Sequence, residues 1–230
     1  ALTGSERAGS AVAAQAGKAM KKSTLELGGA DAYIVLSDAE VEKAARWAVF
    51  GRHWNAGQVC VSSKRIILED AIYDRFMKVY REGVAALVAG DPMDPATQLA
   101  PLSSAAARDN LARQVEAAVA AGAHAETLGA PVPTQGAFYQ PTILTNIGKD
   151  NPAFHTEFFG PVSSFYRVAN EEEAIAIAND SPYGLGGSVF STDIARAKRV
   201  AAKIETGMVY INQPTGVKAD LPLGGVKNSG

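Results

Sequence analysis

The sequence predicts an α/β fold, a mostly parallel sheet flanked by helices. Three observations point there. Short runs rich in β-forming residues alternate with helix-period segments, the spacing of crossover units. The runs are apolar, which suits a sheet packed on both faces. The chain has 230 residues, 47% of them hydrophobic, enough to bury a sizeable core.

An alanine-rich segment, Glu6 to Ala19, opens the chain as a weak helix, and Ala32–Leu36 reads as a strand. Val41, Ala44, Ala45, Ala48 and Val49 then line one face of a helix ending near His53. Arg65–Leu68 is the next strand. Ile72, Phe76, Val79, Tyr80, Gly83 and Leu87 mark a helix with Asp70 as its expected N-cap. Leu111, Val115, Ala118 and Val119 give another, stopped by Gly122. Val162–Val168 is a strand, and Asn170 with Glu173 forms a capping box for the helix behind it. Ser188–Phe190 is a strand, Ile194 to Ile204 a helix followed by Gly207, and Met208–Asn212 the last strand. Gly129–Gly136 and Asn212–Gly225 read as loops. Parallel sheets usually hold their sites at the carboxyl ends of strands, and the functional loops are expected there.

Composition excludes several classes. No run approaches the ~18 apolar residues that a membrane span needs, and no signal-peptide pattern opens the chain. A net charge of −2 and a pI near 6.0 leave no basic stripe for nucleic acid. His53, His124 and His155 are scattered, so no metal site is expected. The single cysteine, Cys60, excludes an internal disulfide and fits a reducing, cytoplasmic setting.

Cys60 closes the run Gly57-Gln58-Val59-Cys60, and Glu26 stands 34 positions earlier in Leu25-Glu26-Leu27-Gly28-Gly29. A thiol attacks as thiolate, and at an ordinary pKa of ~8.5 little thiolate exists at neutral pH. The glycine-bearing loop offers small residues and backbone N–H groups to an approaching substrate. Glu26 alternates with two leucines, which turns its carboxylate away from them. A carboxylate in apolar surroundings gains a raised pKa and can take a proton from water. Gly28 and Gly29 permit close approach of a flat ligand.

These two motifs, with Leu2-Thr3-Gly4-Ser5, Glu157-Phe158-Phe159-Gly160-Pro161-Val162, Tyr183-Gly184-Leu185-Gly186-Gly187 and the terminal Pro222–Gly230 run, resemble the aldehyde dehydrogenase family along nearly the whole chain. Leu223 stands where phenylalanine is common in that family. The resemblance implies an aldehyde dehydrogenase-like catalytic domain over residues 28–230 and a remnant edge of the NAD(P)-binding domain over 1–27. It implies that Cys60 attacks the aldehyde, that the thiohemiacetal passes a hydride to nicotinamide, and that Glu26 activates the water that hydrolyses the thioester. The presence of Glu26 implies the hydrolysing rather than the coenzyme A-acylating type. NAD or NADP is the implied cofactor, held by Thr3, Gly4, Ser5, Gly9 and Gly28, with Glu157 on the nicotinamide ribose and Phe159 beside the ring. The helix start at Ser5 suits a phosphate.

Among such enzymes the chain looks most similar to bacterial succinate-semialdehyde dehydrogenases. Trp54, Val59, Val61, Asn212 and Lys218 are then the expected substrate residues, with Lys64, Arg65 and Lys218 as cations for an acidic aldehyde. Family members are about twice this length, and the chain begins at Ala1, so it is expected to be a piece of a longer protein, a homo-oligomer acting on a small-molecule aldehyde. The isolated chain is expected not to oxidise aldehydes, because most of the cofactor domain and an oxyanion asparagine are missing. Two other readings stay open: a thiol hydrolase pairing Cys60 with His53, and a non-catalytic binding module on the same fold.

Overall fold

Strands and helices alternate throughout the computed structural model, which describes residues 1–230. The first three elements are β1 (Leu2–Thr3), α1 (Glu6–Lys18) and β2 (Leu25–Glu26), whose two strands pair in parallel as a small unit. There follow β3 (Ala32–Val35), α2 (Val41–His53), β4 (Arg65–Glu69), α3 (Tyr73–Ala85) and α4 (Ala105–Ala120). Then come β5 (His124–Thr127), β6 (Thr142–Thr145), β7 (Val162–Val168) and α5 (Glu171–Asn179). The chain closes with β8 (Tyr183–Gly184), β9 (Gly187–Phe190), α6 (Ile194–Ala201), β10 (Tyr210–Ile211) and β11 (Val226–Lys227).

The main sheet has seven strands in the order β10-β9-β3-β4-β7-β6-β5. Every neighbouring pair is parallel except β5 with β6, so the expected mostly parallel sheet is present. Strand alternation divides the side chains between two cores. Tyr33 and Val35 enter the core under α2 and α3, built on Ala44, Ala48, Phe76 and Tyr80. Ala32 and Ile34 enter the opposite core, under α4, α5 and α6, with Leu111, Ala174 and Val200. Both faces are covered, which is why the strands read as apolar runs.

Local chemistry fixes the helix ends. Ser5 Oγ accepts from Ala8 N at 3.3 Å, and Asn170 Oδ1 accepts from Glu173 N at 3.0 Å. Glu173 reaches back to Ala169 N, which completes that capping box. Gly122 takes φ +98°, the left-handed conformation suited to a helix end. Asp70 differs from expectation. Residues Asp70–Ile72 form a short 3₁₀ turn, α3 starts at Tyr73 without a side-chain cap, and the Asp70 carboxylate pairs with Arg167. A charged guanidinium outcompetes a neutral backbone N–H for that carboxylate.

The sequence reading omits β5 and β6. The first is a polar four-residue edge strand; the second, Thr-Ile-Leu-Thr, is as short and hidden behind Pro141. No helix is long and apolar enough to cross a membrane.

Candidate active site

Four loops enter the sheet along one edge. Gly28–Asp31 lead into β3, Cys60–Lys64 into β4, Glu157–Pro161 into β7, and Leu185–Gly186 into β9. These strands are mutually parallel, so all four loops lie at their amino ends. The expectation of a carboxyl-end site is therefore corrected. The motif residues precede their strands, and direction in a parallel sheet decides the edge.

The Cys60 loop leaves α2 through a 3₁₀ turn, Trp54–Gly57, in which Asn55, Ala56 and Gly57 take φ of +50°, +53° and +76°. A left-handed alanine is disfavoured, and such strain gathers at functional loops. Glycine is required at position 57, where a Cβ would stand 2.5 Å from the Gly160 carbonyl oxygen. Arg52 binds these loops together. Its buried guanidinium donates to Val162 O (2.7 Å), Gly57 O (3.2 Å), Phe158 O (2.7 Å), Gly160 O and Ser62 Oγ. Burial lowers its pKa to about 10, so it stays charged at neutral pH.

Cys60 is half-buried, and desolvation raises its thiol pKa. The charge of Lys64 and the backbone N–H of Val61 oppose that rise, while Asp31 and Glu157 add to it. Lys64 is 1% exposed; its Nζ donates to Val59 O (2.7 Å) and Cys60 O (2.8 Å) and pairs with Glu157 Oε1 at 3.1 Å. Glu157 Oε1 also accepts from Gly29 N at 3.0 Å. Asp31, 3% exposed, accepts from Gly186 N at 3.0 Å, and burial raises its pKa to about 6 against the pull of Lys64.

Glu26 reaches the same place from β2. Gly4 N donates to its carbonyl, and Ser229 holds the following residues by accepting from Leu27 N (2.8 Å) and donating to Gly28 O (2.7 Å). Its carboxylate oxygen Oε2 is buried without a hydrogen-bond partner in the protein. A cleft of about 810 Å³ joins these groups. Cys60, Glu26, Thr3, Gly4, Ser5, Gly28, Val59, Glu157 and Phe159 all line it, so most of the expected site converges. Phe159 is 46% exposed there. A side chain on Gly28 would collide with Glu157 Oε2, so that glycine makes room for the carboxylate.

Other expected residues fall elsewhere. Gly9 is a packing residue: its missing Cβ would lie 2.6 Å from Leu27 Cδ1, so α1 packs closely on the residue that follows β2. Trp54 stacks on Phe50 outside the cleft, with ring centroids 6.0 Å apart. The Val61 side chain is buried, and only its backbone meets the Cys60 sulfur. Asn212 sits at the carboxyl end of β10, where its amide clamps Ser191 N and O. Lys218 is exposed and outside the cleft.

The expected cations Lys64 and Arg65 are corrected as well. Both are buried, with their donors taken up inside the protein. Arg65 is buried, donating to Ala30 O and to Ile177 O and Ala178 O in the last turn of α5. Those carbonyls need donors at a helix end, and a guanidinium supplies several at once. The thiol-hydrolase pairing is also unsupported. His53 is buried against Tyr80 with Nδ1 on Val49 O, does not line the cleft, and its pKa is pushed down to about 3 by burial and Arg52. Arg52, Asp31 and Gln114 are missing from the sequence reading, and Gln58 and Tyr183, which line the cleft with Gln114, appear there only as motif members without a site role. Arg52 and Asp31 stand close to the motifs in sequence, whereas Gln114, inside α4, carries no such signal.

The chain thus has an α/β fold in which a thiol and a carboxylate line one cleft. The model of the aldehyde dehydrogenase family matches residues 1–230, and the chain belongs to that family. It is 50% identical over 229 residues to a succinate-semialdehyde dehydrogenase [NADP(+)] of Deinococcus radiodurans, covering all of this chain and 48% of that protein. It is 44% identical to the Escherichia coli succinate semialdehyde dehydrogenase [NAD(P)+], covering all of this chain and 50% of that protein. A crystal structure of the Streptococcus pyogenes succinic semialdehyde dehydrogenase with NADP+ superposes with a TM-score of 0.95 at 50% identity, over 99% of this chain and 50% of that one. The chain spans about half the length of the relatives it matches.

Proposed function

We propose that this chain carries the nucleophile and the hydrolytic base of an NAD(P)-dependent succinate-semialdehyde dehydrogenase of the non-acylating type. The observation that carries the reading is that Cys60 and Glu26, on separate elements, line one cleft. The names of the relatives support the substrate and the choice of NAD or NADP.

The residues fit a dinucleotide. Thr3, Gly4 and Ser5 border the cleft at the start of α1, where unpaired N–H groups suit a phosphate. Glu157 offers a carboxylate to ribose hydroxyls, and Phe159 an aromatic wall to the nicotinamide. When bound, the cofactor supplies the two-electron acceptor for the aldehyde. Cys60 sulfur forms a bond to the aldehyde carbon, and after oxidation the acyl group is a thioester on that sulfur. Glu26 takes a proton from water as the water oxygen bonds to the acyl carbon. The C–S bond then breaks, and Cys60 leaves as thiolate. The buried, unpartnered Oε2 of Glu26 suits this role, because it has an unused acceptor.

The acidic aldehyde needs a counter-charge, and only Lys218 of the three expected cations is free of buried partners. In the protein carrying this chain, Cys60→Ser is expected to abolish NAD(P)-dependent oxidation of succinate semialdehyde. Lys218→Ala is expected to lower kcat/KM for succinate semialdehyde relative to propanal. An unchanged ratio would remove Lys218 from substrate recognition, and turnover surviving in Cys60→Ser would overturn the whole reading.

A further inference from the structure

The buried lysine behind the nucleophile has no part in the chemistry above. Its side chain runs under the loop that carries Cys60 and ends where three acceptors meet. Two are the successive carbonyls of Val59 and Cys60, at 2.7 and 2.8 Å, and the third is Glu157 Oε1 at 3.1 Å. No other side chain hydrogen-bonds both to the peptide of Cys60 and to the Glu157 carboxylate. An ammonium buried this deeply is tolerated only when paired and fully hydrogen-bonded. Three acceptors match its three donors.

From this geometry we infer that Lys64 is a positioning residue for Cys60: it fixes the nucleophile's backbone and supplies the positive charge that keeps its sulfur reactive. The inference rests on the reading of Cys60 as nucleophile and deepens it.

Position and charge both follow from the contacts. With two successive carbonyls anchored, the peptide bearing Cys60 cannot rotate freely, so the Cα–Cβ bond that carries the sulfur keeps one direction. The charged groups acting on the sulfur are Lys64 from its own loop, Asp31 from the segment entering β3, and Glu157 from the segment entering β7. Two are anions, and desolvation also works against the thiolate. Lys64 is the one cation among them. Glu157 has a double effect, because it neutralises Lys64 and adds its own negative charge. Lys64 itself feels Glu157, Asp31 and Arg52; burial and Arg52 oppose its ammonium, and the two carboxylates sustain it.

The test is the pH dependence of Cys60 alkylation by iodoacetamide in the intact protein, read on the Cys60 peptide by mass spectrometry. Lys64→Met is expected to raise the midpoint by about one pH unit, roughly a tenfold slower reaction at neutral pH. Lys64→Arg, which keeps the charge, is expected to restore most of that change. Glu157→Gln is expected to move the midpoint downward, since it removes an anion and leaves the ammonium. A merely structural lysine would alter stability without opposite midpoint shifts in the two variants.

A folded Lys64→Met protein with an unaltered midpoint would overturn the inference. Should Lys64→Met fail to fold, Lys64→Gln, which keeps an N–H donor without charge, decides by the same criterion, and an unmoved midpoint in Glu157→Gln counts equally against it. Failure of the functional reading is separately visible. There, Cys60→Ser would retain turnover whatever the alkylation midpoints.

Discussion

A side chain on Gly29 would begin 2.6 Å from the carbonyl oxygen of Cys60. The Glu26 motif and the Cys60 loop thus pack backbone to backbone, and the glycine after Glu26-Leu27-Gly28 is what lets them meet. Lys64 anchors that same carbonyl from behind, so the Cys60 peptide is held between a glycine and an ammonium. Gly29 N in turn donates to Glu157. Three motifs far apart in sequence therefore share one hydrogen-bonded wall.

Gly29→Ala tests that contact. The methyl group would meet backbone rather than a flexible side chain, and relief requires moving the Cys60 loop. A loss of about 1–3 kcal/mol is expected, as for other overpacked sites, together with a fall in kcat. Thermal unfolding and steady-state kinetics check both. Unchanged stability would mean that the loop yields easily.

Arg52→Met should be more damaging than its distance from the sulfur implies. It removes a buried cation from four backbone carbonyls and Ser62, leaving several acceptors unpaired. A loss of about 3 kcal/mol or more is expected, measurable by denaturant titration. Arg52→Lys should recover only part of it, since one ammonium cannot span the same carbonyls.

Asp31 gives a pH signature. Its native pKa is raised to about 6 from the ordinary 3.8, with burial as the largest cause. Between these values the native state keeps a proton that the unfolded chain has released. The native state then binds more protons, so this group's contribution to stability falls as pH rises from about 4 to 6, by about 3 kcal/mol in all. Asp31→Asn keeps an acceptor for Gly186 N and is expected to flatten that slope. Melting temperatures of the two proteins across this range provide the comparison. A slope equal to that of the unaltered protein would place the buried proton elsewhere.

Much of the fold and the core of the site were legible before the structure. The apolar runs of β3, β4 and β7 are readable because both faces of each strand are buried. Cys60, Glu26 and Glu157 sit in motifs whose order and neighbours are distinctive. Burial set by remote segments was not legible. Lys64 and Arg65 look like surface charges in sequence, but Lys64 meets Glu157 93 positions away, and Arg65 meets carbonyls of α5. Asn212 is expected at the substrate only through the family resemblance, and its strand ends at the opposite edge from Cys60. The edge itself depends on strand direction, which periodicity does not encode. Residues in β5 escaped because a polar edge strand has no apolar pattern.

The most direct measurement is mass spectrometry of the Cys60 peptide after the Glu26→Gln protein is mixed with NAD(P) and succinate semialdehyde. If Glu26 activates the hydrolytic water, the variant should complete one oxidation and then stall, with the succinyl group retained on Cys60 and steady-state turnover reduced by about 10²–10⁴-fold. Sustained turnover at the unaltered rate with no acyl group on Cys60 would contradict the pairing of these two residues in one reaction.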